Sequence, residues 1–368
     1  MFKTLIFTKL RPDRSQNNQL AMRRIFWCVL LLSVSLGLRA QTDIPILSQL
    51  ELERAPAGQV SKYWVNLLSG SQSLPILVPV LVAKGVEDGP VVGLTAAIHG
   101  NELNGIPIIQ EVFRQIDPAS LKGTVVGVPG LNAVSLQLDV RRFIDEEDLN
   151  RNFPGKANGN NSQQYVYWAF DKIVRHFDYL VDLHTASFGR INSLYVRADL
   201  TDSTIARMAY WQDADIILQD RGMPSAGQVV AASRTMRAEA VLHGIPAITI
   251  EYGDPQVYQS DMTGRGVWGI LNLLAGLGLT AGSPQAPPQP AIVCQRSYWI
   301  YTDAGGLLEV PVELRQRLQA GELIGLLRNP FGELITEYRA PEAGIVIGKS
   351  TNPNNMQGGR IIHLGILR

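Results

Sequence analysis

Between residues 90 and 250 the chain alternates apolar, β-rich runs with segments of helical periodicity. This alternation limits the fold more than any other feature. Residues 90–98 (PVVGLTAAI), 124–130 (TVVGVPG), 177–183 (FDYLVDL) and 245–250 (IPAITI) read as strands. Their near-continuous apolar character fits strands covered on both faces. Residues 105–116 place Ile106, Ile109, Val112, Phe113 and Ile116 at helical spacing, and residues 165–177 do the same with Val166, Phe170, Ile173 and Val174. A third helical stretch, 235–242, runs into His243-Gly244, a C-cap signal. The expected fold is α/β, a mixed and mostly parallel sheet flanked by helices.

Residues 282–291 (GSPQAPPQPA) carry four prolines and read as a linker. It separates a body, residues 41–281, from a tail, residues 292–368. The tail consists of short apolar pieces split by Gly, Pro and Asn, the pattern of a small all-β domain. Only LRQRLQAG, residues 314–321, reads as helical there.

Residues 1–40 look like an address. Arg23-Arg24 precedes an uncharged apolar run, residues 25–38, followed by Leu38-Arg39-Ala40, the pattern of a secretory signal. The run is shorter than the ~20 residues a membrane span needs. Met22 directly precedes Arg23-Arg24, so residues 1–21 can lie upstream of the true start. Cys28 sits inside the run rather than at its end, which argues against a lipoprotein. Export to a periplasm or beyond is expected, and Cys294 would then be the one remaining cysteine, without an internal disulfide. The chain has 33 basic and 33 acidic residues, but residues 1–40 hold seven basic and one acidic. The rest therefore carries 26 basic and 32 acidic residues, a balance that argues against nucleic acid as the main partner.

Three of the four strands run into residues able to bind metal or move protons. The first ends at His99, in AIHGNE, with Glu102 three residues on; the third ends at His184; the fourth ends at Glu251. Open α/β sheets bind ligands beyond the carboxyl ends of their strands, so these residues can converge. Two histidines and a carboxylate, with an open position for water, is a donor set used for catalytic zinc. Glu251 is then placed to shuttle the proton, and Asp182 can orient His184 from the same strand. His99-x-x-Glu102 alone is equally a polar loop at a strand end. His176, His243 and His363 have no acidic or histidine neighbour that marks them as ligands. RRFIDEEDLNRNFPG, residues 141–155, brings three arginines and Asn150. Such a run is either a solvated face or a carboxylate-binding, carbonyl-polarising loop.

HGNE, DLNRNFPG, VDLHT and IEYGDPQ, in this order, resemble the succinylglutamate desuccinylase/aspartoacylase family of carboxypeptidase A-like zinc hydrolases. The resemblance implies one zinc ion per chain on His99, Glu102 and His184, with Glu251 as general base. It implies that Asn150 and Arg151 hold a substrate carboxylate, and that an arginine just upstream polarises the scissile carbonyl. Arg142 is the better match for that arginine and Arg141 the rival. The tail, with APEAGIVIG, is similar to the family's β-rich C-terminal domain, itself similar to lipoyl and biotinyl modules. Its turn has no lysine, so it is not a prosthetic-group carrier. The implied reaction is removal of an acyl group from an N-acyl amino acid. An exported zinc carboxypeptidase, or a cell-wall peptide amidase acting on a short peptide with a free carboxylate, is the alternative. A non-catalytic binding protein is a third reading.

Overall fold

The computed structural model describes residues 44–222 and 234–367. The expected signal segment, residues 1–40, lies outside them. No helix among the described residues is long and apolar enough to cross a membrane.

Strands β1 (Ile46–Leu47), β2 (Gln59–Ser69), β3 (Pro75–Lys84) and β4 (Glu87–Ala96) lead into helix α1 (Gly105–Gln115). Then follow β5 (Lys122–Val128), α2 (Ala133–Leu138), α3 (Asn161–Lys172), β6 (Tyr179–His184), β7 (Arg190–Asn192) and β8 (Leu194–Ala198). The body closes with α4 (Ser203–Tyr210), β9 (Ile216–Gln219), α5 (Met236–Leu242), β10 (Ala247–Tyr252) and α6 (Ser260–Gly276). The tail adds β11 (Ile292–Tyr301), β12 (Gly306–Glu309), β13 (Arg317–Leu318), β14 (Leu323–Arg328) and β15 (Leu334–Arg339), then β16 (Gly344–Ser350), β17 (Asn354–Asn355) and β18 (Arg360–Leu367).

Thirteen strands line up in the order β1-β2-β3-β5-β4-β6-β10-β8-β9-β11-β18-β16-β13, with β7 pairing β16 to complete a 14-stranded sheet. The central block β5-β4-β6-β10 is parallel, and antiparallel pairs join it on both sides. Strands β4, β6 and β10 therefore release their chain ends at one edge. The α1 stripe buries Ile108, Ile109, Val112 and Phe113 against this block. At about 1.5–3 kcal/mol per buried large apolar side chain, that contact fixes the helix firmly. A Cβ at Gly105 would come within 2.8 Å of both Ala96 and Leu183, so the absence of a side chain lets α1 start directly over the ends of β4 and β6.

The tail is built of strands. β11 runs parallel to β9, so the large sheet continues into the tail, while β15-β14-β12-β17 form a separate antiparallel sheet. Residues 282–291 carry no helix or strand and are tied to α6 by Asn272, whose side chain bonds both backbone groups of Gln285. The helix expected over 314–321 is absent. Arg315 adopts φ 66°, a left-handed conformation that ends any helix, and Leu318 enters β13 buried.

Candidate metal and acyl-transfer site

His99, Glu102 and His184 are 2%, 2% and 4% exposed. Each offers one donor atom, and the three atoms lie within 4.8 Å of one another. The turn after β4 is set by Ala97 at φ 56° and closed by the Glu102 amide, which donates to the His99 carbonyl at 3.1 Å. Gly100 is needed for a reason other than turning. A Cβ there would lie 2.0 Å from the backbone of Ser135, at α2. Asn104 then locks the loop, donating to the Tyr252 carbonyl at 2.8 Å and accepting from the Gln259 amide at 2.9 Å.

Each histidine is oriented through one nitrogen and offers the other. His184 Nε2 meets Asp182 Oδ2 at 2.8 Å, and Thr95 Oγ1 donates to the other Asp182 oxygen at 2.8 Å. His184 Nδ1 faces Glu102 Oε2 at 2.9 Å. His99 Nε2 meets Asp148 Oδ1 at 3.0 Å. Its buried Nδ1 lies 3.0 Å from Glu102 Oε1 but has no partner in hydrogen-bonding geometry. A buried, unbonded nitrogen beside a carboxylate oxygen fits two donors aimed at a common cation better than it fits a closed polar network. The three residues are consistent with a metal ion.

The electrostatics agree. Burial alone would raise the Glu102 carboxyl, but the adjoining His99 and His184 rings hold it well below the usual carboxylate range. Burial opposes the charged form of His184, yet Asp182 and Glu102 raise it well above an ordinary histidine. Burial works against Asp148 as well, and His99, Arg141 and Arg151 outweigh it and drive the carboxyl far down. Positive charge is wanted in the centre of this cluster.

Glu251 sits at the end of β10, in register with His184 on β6. Asn192 Nδ2 donates to Glu251 Oε2 at 3.2 Å. Burial pushes its carboxyl up, and Glu102 adds to this against the pull of His184, Arg197 and Arg141. Such a carboxylate is a stronger base than one in water.

The two rival arginines separate cleanly. Arg141 Nη1 donates to Glu102 Oε1 at 2.6 Å and also to Ser187 Oγ, while Nη2 donates to Asp148 Oδ2 at 2.8 Å. Arg142 turns outward, is exposed, and donates to the Glu146 carbonyl. Arg141 and not Arg142 thus faces the cluster, because consecutive side chains on this irregular loop point to opposite sides. Asn150 is buried. Its Oδ1 accepts from the Met236 amide at 2.8 Å, so its NH2 faces inward, 3.4 Å from His184 Nε2. Arg151 Nη1 donates to the Asn150 carbonyl at 2.7 Å, and its guanidinium is lowered first by burial. The remaining histidines lie elsewhere: His363 packs on Trp299 and bonds Ser297, and His243 caps α5.

Asp148, Thr95, Ser187 and Asn192 were not singled out from sequence. Asp148 stood inside the DLNR motif and could have been found there, as the acid nearest the residues that motif supplies. The other three have no local signal.

Residues 88–277 match the family model for the succinylglutamate desuccinylase/aspartoacylase catalytic domain. The chain is similar to an N-alpha-acetyl-L-2,4-diaminobutyric acid deacetylase from Halomonas elongata, 26% identical over 290 residues that cover 74% of this chain and 81% of the relative. Its fold is similar to a succinylglutamate desuccinylase/aspartoacylase from Rhodobacter sphaeroides (TM-score 0.75, 22% identity, 87% of this chain and 98% of that one). It is also similar to a product-bound ectoine utilization protein from Ruegeria pomeroyi (TM-score 0.74, 20% identity, 85% and 98%). The match spans more than half of the sequence and contains the whole His–Glu–His cluster, so the chain belongs to the succinylglutamate desuccinylase/aspartoacylase family and is an amide-bond hydrolase, a deacylase, of that family.

Proposed function

We propose that the protein is a zinc-dependent deacylase that releases the acyl group of an N-acyl amino acid. The carrying observation is the buried His99–Glu102–His184 group, with its donor atoms within 4.8 Å of one another. Two imidazoles and one carboxylate suit zinc, which would there supply Lewis-acid activation of water and of the amide carbonyl. Asp182 and Asp148 hold the two rings, each through Nε2, and so leave Nδ1 as the donor atom.

Glu251 takes the proton of the attacking water and passes it to the departing amine. Burial raises the proton affinity of its carboxylate while Asn192 fixes one of its oxygens. Arg141, already among Glu102, Ser187 and Asp148, is the cation available to the developing oxyanion. The Asn150 NH2 and the Arg151 guanidinium hold the substrate carboxylate, and this anchoring decides which amide faces the nucleophile. The deacetylase from Halomonas elongata acts on an N-acetyl amino acid, which supports this substrate class. The N-terminal pattern around Arg23-Arg24 supports export, testable by sequencing the N-terminus of the exported protein.

The test is Glu251→Gln. The variant should bind one zinc per chain and lose several orders of magnitude in kcat toward N-acetyl amino acids. Turnover near the parent value would overturn the mechanism.

A further inference from the structure

We propose that Asn192 is a positioning residue for the general base, and that strand β16 of the tail sets where Asn192 stands. The inference rests on the reading of Glu251 as the base.

Asn192 is 6% exposed, and its Nδ2 donates to Glu251 Oε2. An ionised carboxylate only accepts, so the amide nitrogen must face it. This fixes the orientation of the side chain and leaves the other Glu251 oxygen for the reacting proton. Glu251 also feels the charges of His184, Glu102, Arg197 and Arg141, but none of these is hydrogen-bonded to it. Among the described residues, Asn192 alone donates a hydrogen bond to this carboxylate.

Nothing within β7 itself explains why Asn192 is held so firmly, because the strand has only three residues. The tail holds it. Gly348, Lys349 and Ser350 of β16 pair with Asn192, Ile191 and Arg190. The pairing of β16 with β18 slips between Val346 and Gly348. That bulge turns the Ile347 carbonyl out of the ladder. It accepts instead from both the backbone amide and the hydroxyl of Ser193, each at 2.9 Å. At the other end, the Thr351 amide donates to the Gly189 carbonyl at 2.9 Å. The segment that presents Asn192 is thus clamped on both sides by residues more than 150 positions away. Position 348 also has no room for a side chain while Asn192 keeps its place. A Cβ there would lie 2.3 Å from Asn192 Oδ1 and 3.0 Å from the Ile191 carbonyl.

Two substitutions in different parts of the chain should therefore give one phenotype. Asn192→Ala removes the donor. Gly348→Ala leaves the donor but drives its side chain away from its place. Both should lower kcat by roughly ten- to a hundredfold, the range for losing a hydrogen bond that orients a working group, with KM changed less than about threefold. Zinc content should remain one per chain. Asn192→Asp separates positioning from packing. It keeps the shape but replaces the donor by a second carboxylate beside Glu251, so it should be at least as impaired as Asn192→Ala. The four proteins, with Glu251→Gln as reference, are compared as purified full-length zinc enzymes on one N-acetyl amino acid. If Glu251→Gln is inactive while Asn192→Ala keeps parental kcat, or Asn192→Asp outperforms Asn192→Ala, the positioning role is wrong and the base assignment stands. If Glu251→Gln itself retains turnover, the base assignment fails first. Should Gly348→Ala fail to fold, the Ala and Asp variants at position 192 still decide the matter.

Discussion

Asp148→Asn tests how the site prepares its ligands. Asp148 receives three groups at once: His99 Nε2 at 3.0 Å, the Asn150 amide at 3.0 Å and Arg141 Nη2 at 2.8 Å. All three are donors once His99 presents Nδ1 to a cation. An asparagine has one accepting oxygen and one NH2, so it must turn its NH2 either toward Arg141 or toward the imidazole and the Asn150 amide. At least one charge-assisted bond is lost in either orientation, about 1.5–3 kcal/mol for each bond lost. If most of this falls on His99, zinc binding weakens by roughly ten- to a hundredfold. Competition with a chelator of known affinity reads the dissociation constant directly. Thermal melts at fixed free zinc give an independent measure, since a hundredfold weaker site forfeits up to about 2.7 kcal/mol of metal-linked stability. A dissociation constant within twofold of the parent, with unchanged melts, would refute the claim that Asp148 presets His99.

Further outcomes follow from the same geometry. Arg142→Ala should leave kcat/KM within about twofold, because the side chain is exposed and bonds only the Glu146 carbonyl, whereas Arg141→Ala should lower it by at least about a hundredfold. Steady-state kinetics on both variants checks this. Zinc uptake near pH 7 should release protons, because Asp182 and Glu102 hold His184 charged above the usual histidine range and its Nδ1 must be free to ligate. Calorimetry in buffers of different ionisation enthalpy would detect this, and affinity should rise with pH. Asp220 is paired with Arg197 at 3.0 Å and Arg237 at 3.1 Å, and these arginines outweigh burial to hold its carboxyl below the ordinary aspartate value. A depressed native value gives stability that is present above the unfolded value of about 4 and lost as pH falls below it. Denaturant midpoints between pH 3 and 7 should therefore fall more steeply for the parent than for Asp220→Asn. Thr95→Val deprives buried Asp182 of a donor at 2.8 Å and should cost about 1–3 kcal/mol in chemical denaturation.

The centre of the molecule was readable because its signals are local. The strand leading to His99, the helix from Gly105 and the strand ending at His184 each carry their apolar pattern in a dozen residues, and the parallel arrangement brings their ends together. What the sequence could not supply was direction on irregular backbone and pairing over long separations. Arg141 and Arg142 are adjacent in a loop with no period, so nothing local says which enters the site. LRQRLQAG has helical composition, but tertiary pairing of Arg317 and Leu318 with β16 overrides it. The union of β11 with β9 joins segments more than 70 residues apart, and the support of Asn192 by β16 spans more than 150. Composition carries no trace of either.

Diffraction from zinc-loaded crystals at the zinc absorption edge addresses the core of the account. We expect one anomalous peak per chain, about 2.0–2.2 Å from His99 Nδ1, a Glu102 oxygen and His184 Nδ1, with Glu251 nearby and not coordinated. A peak elsewhere, or a fully zinc-saturated protein whose ion touches neither histidine, would contradict it.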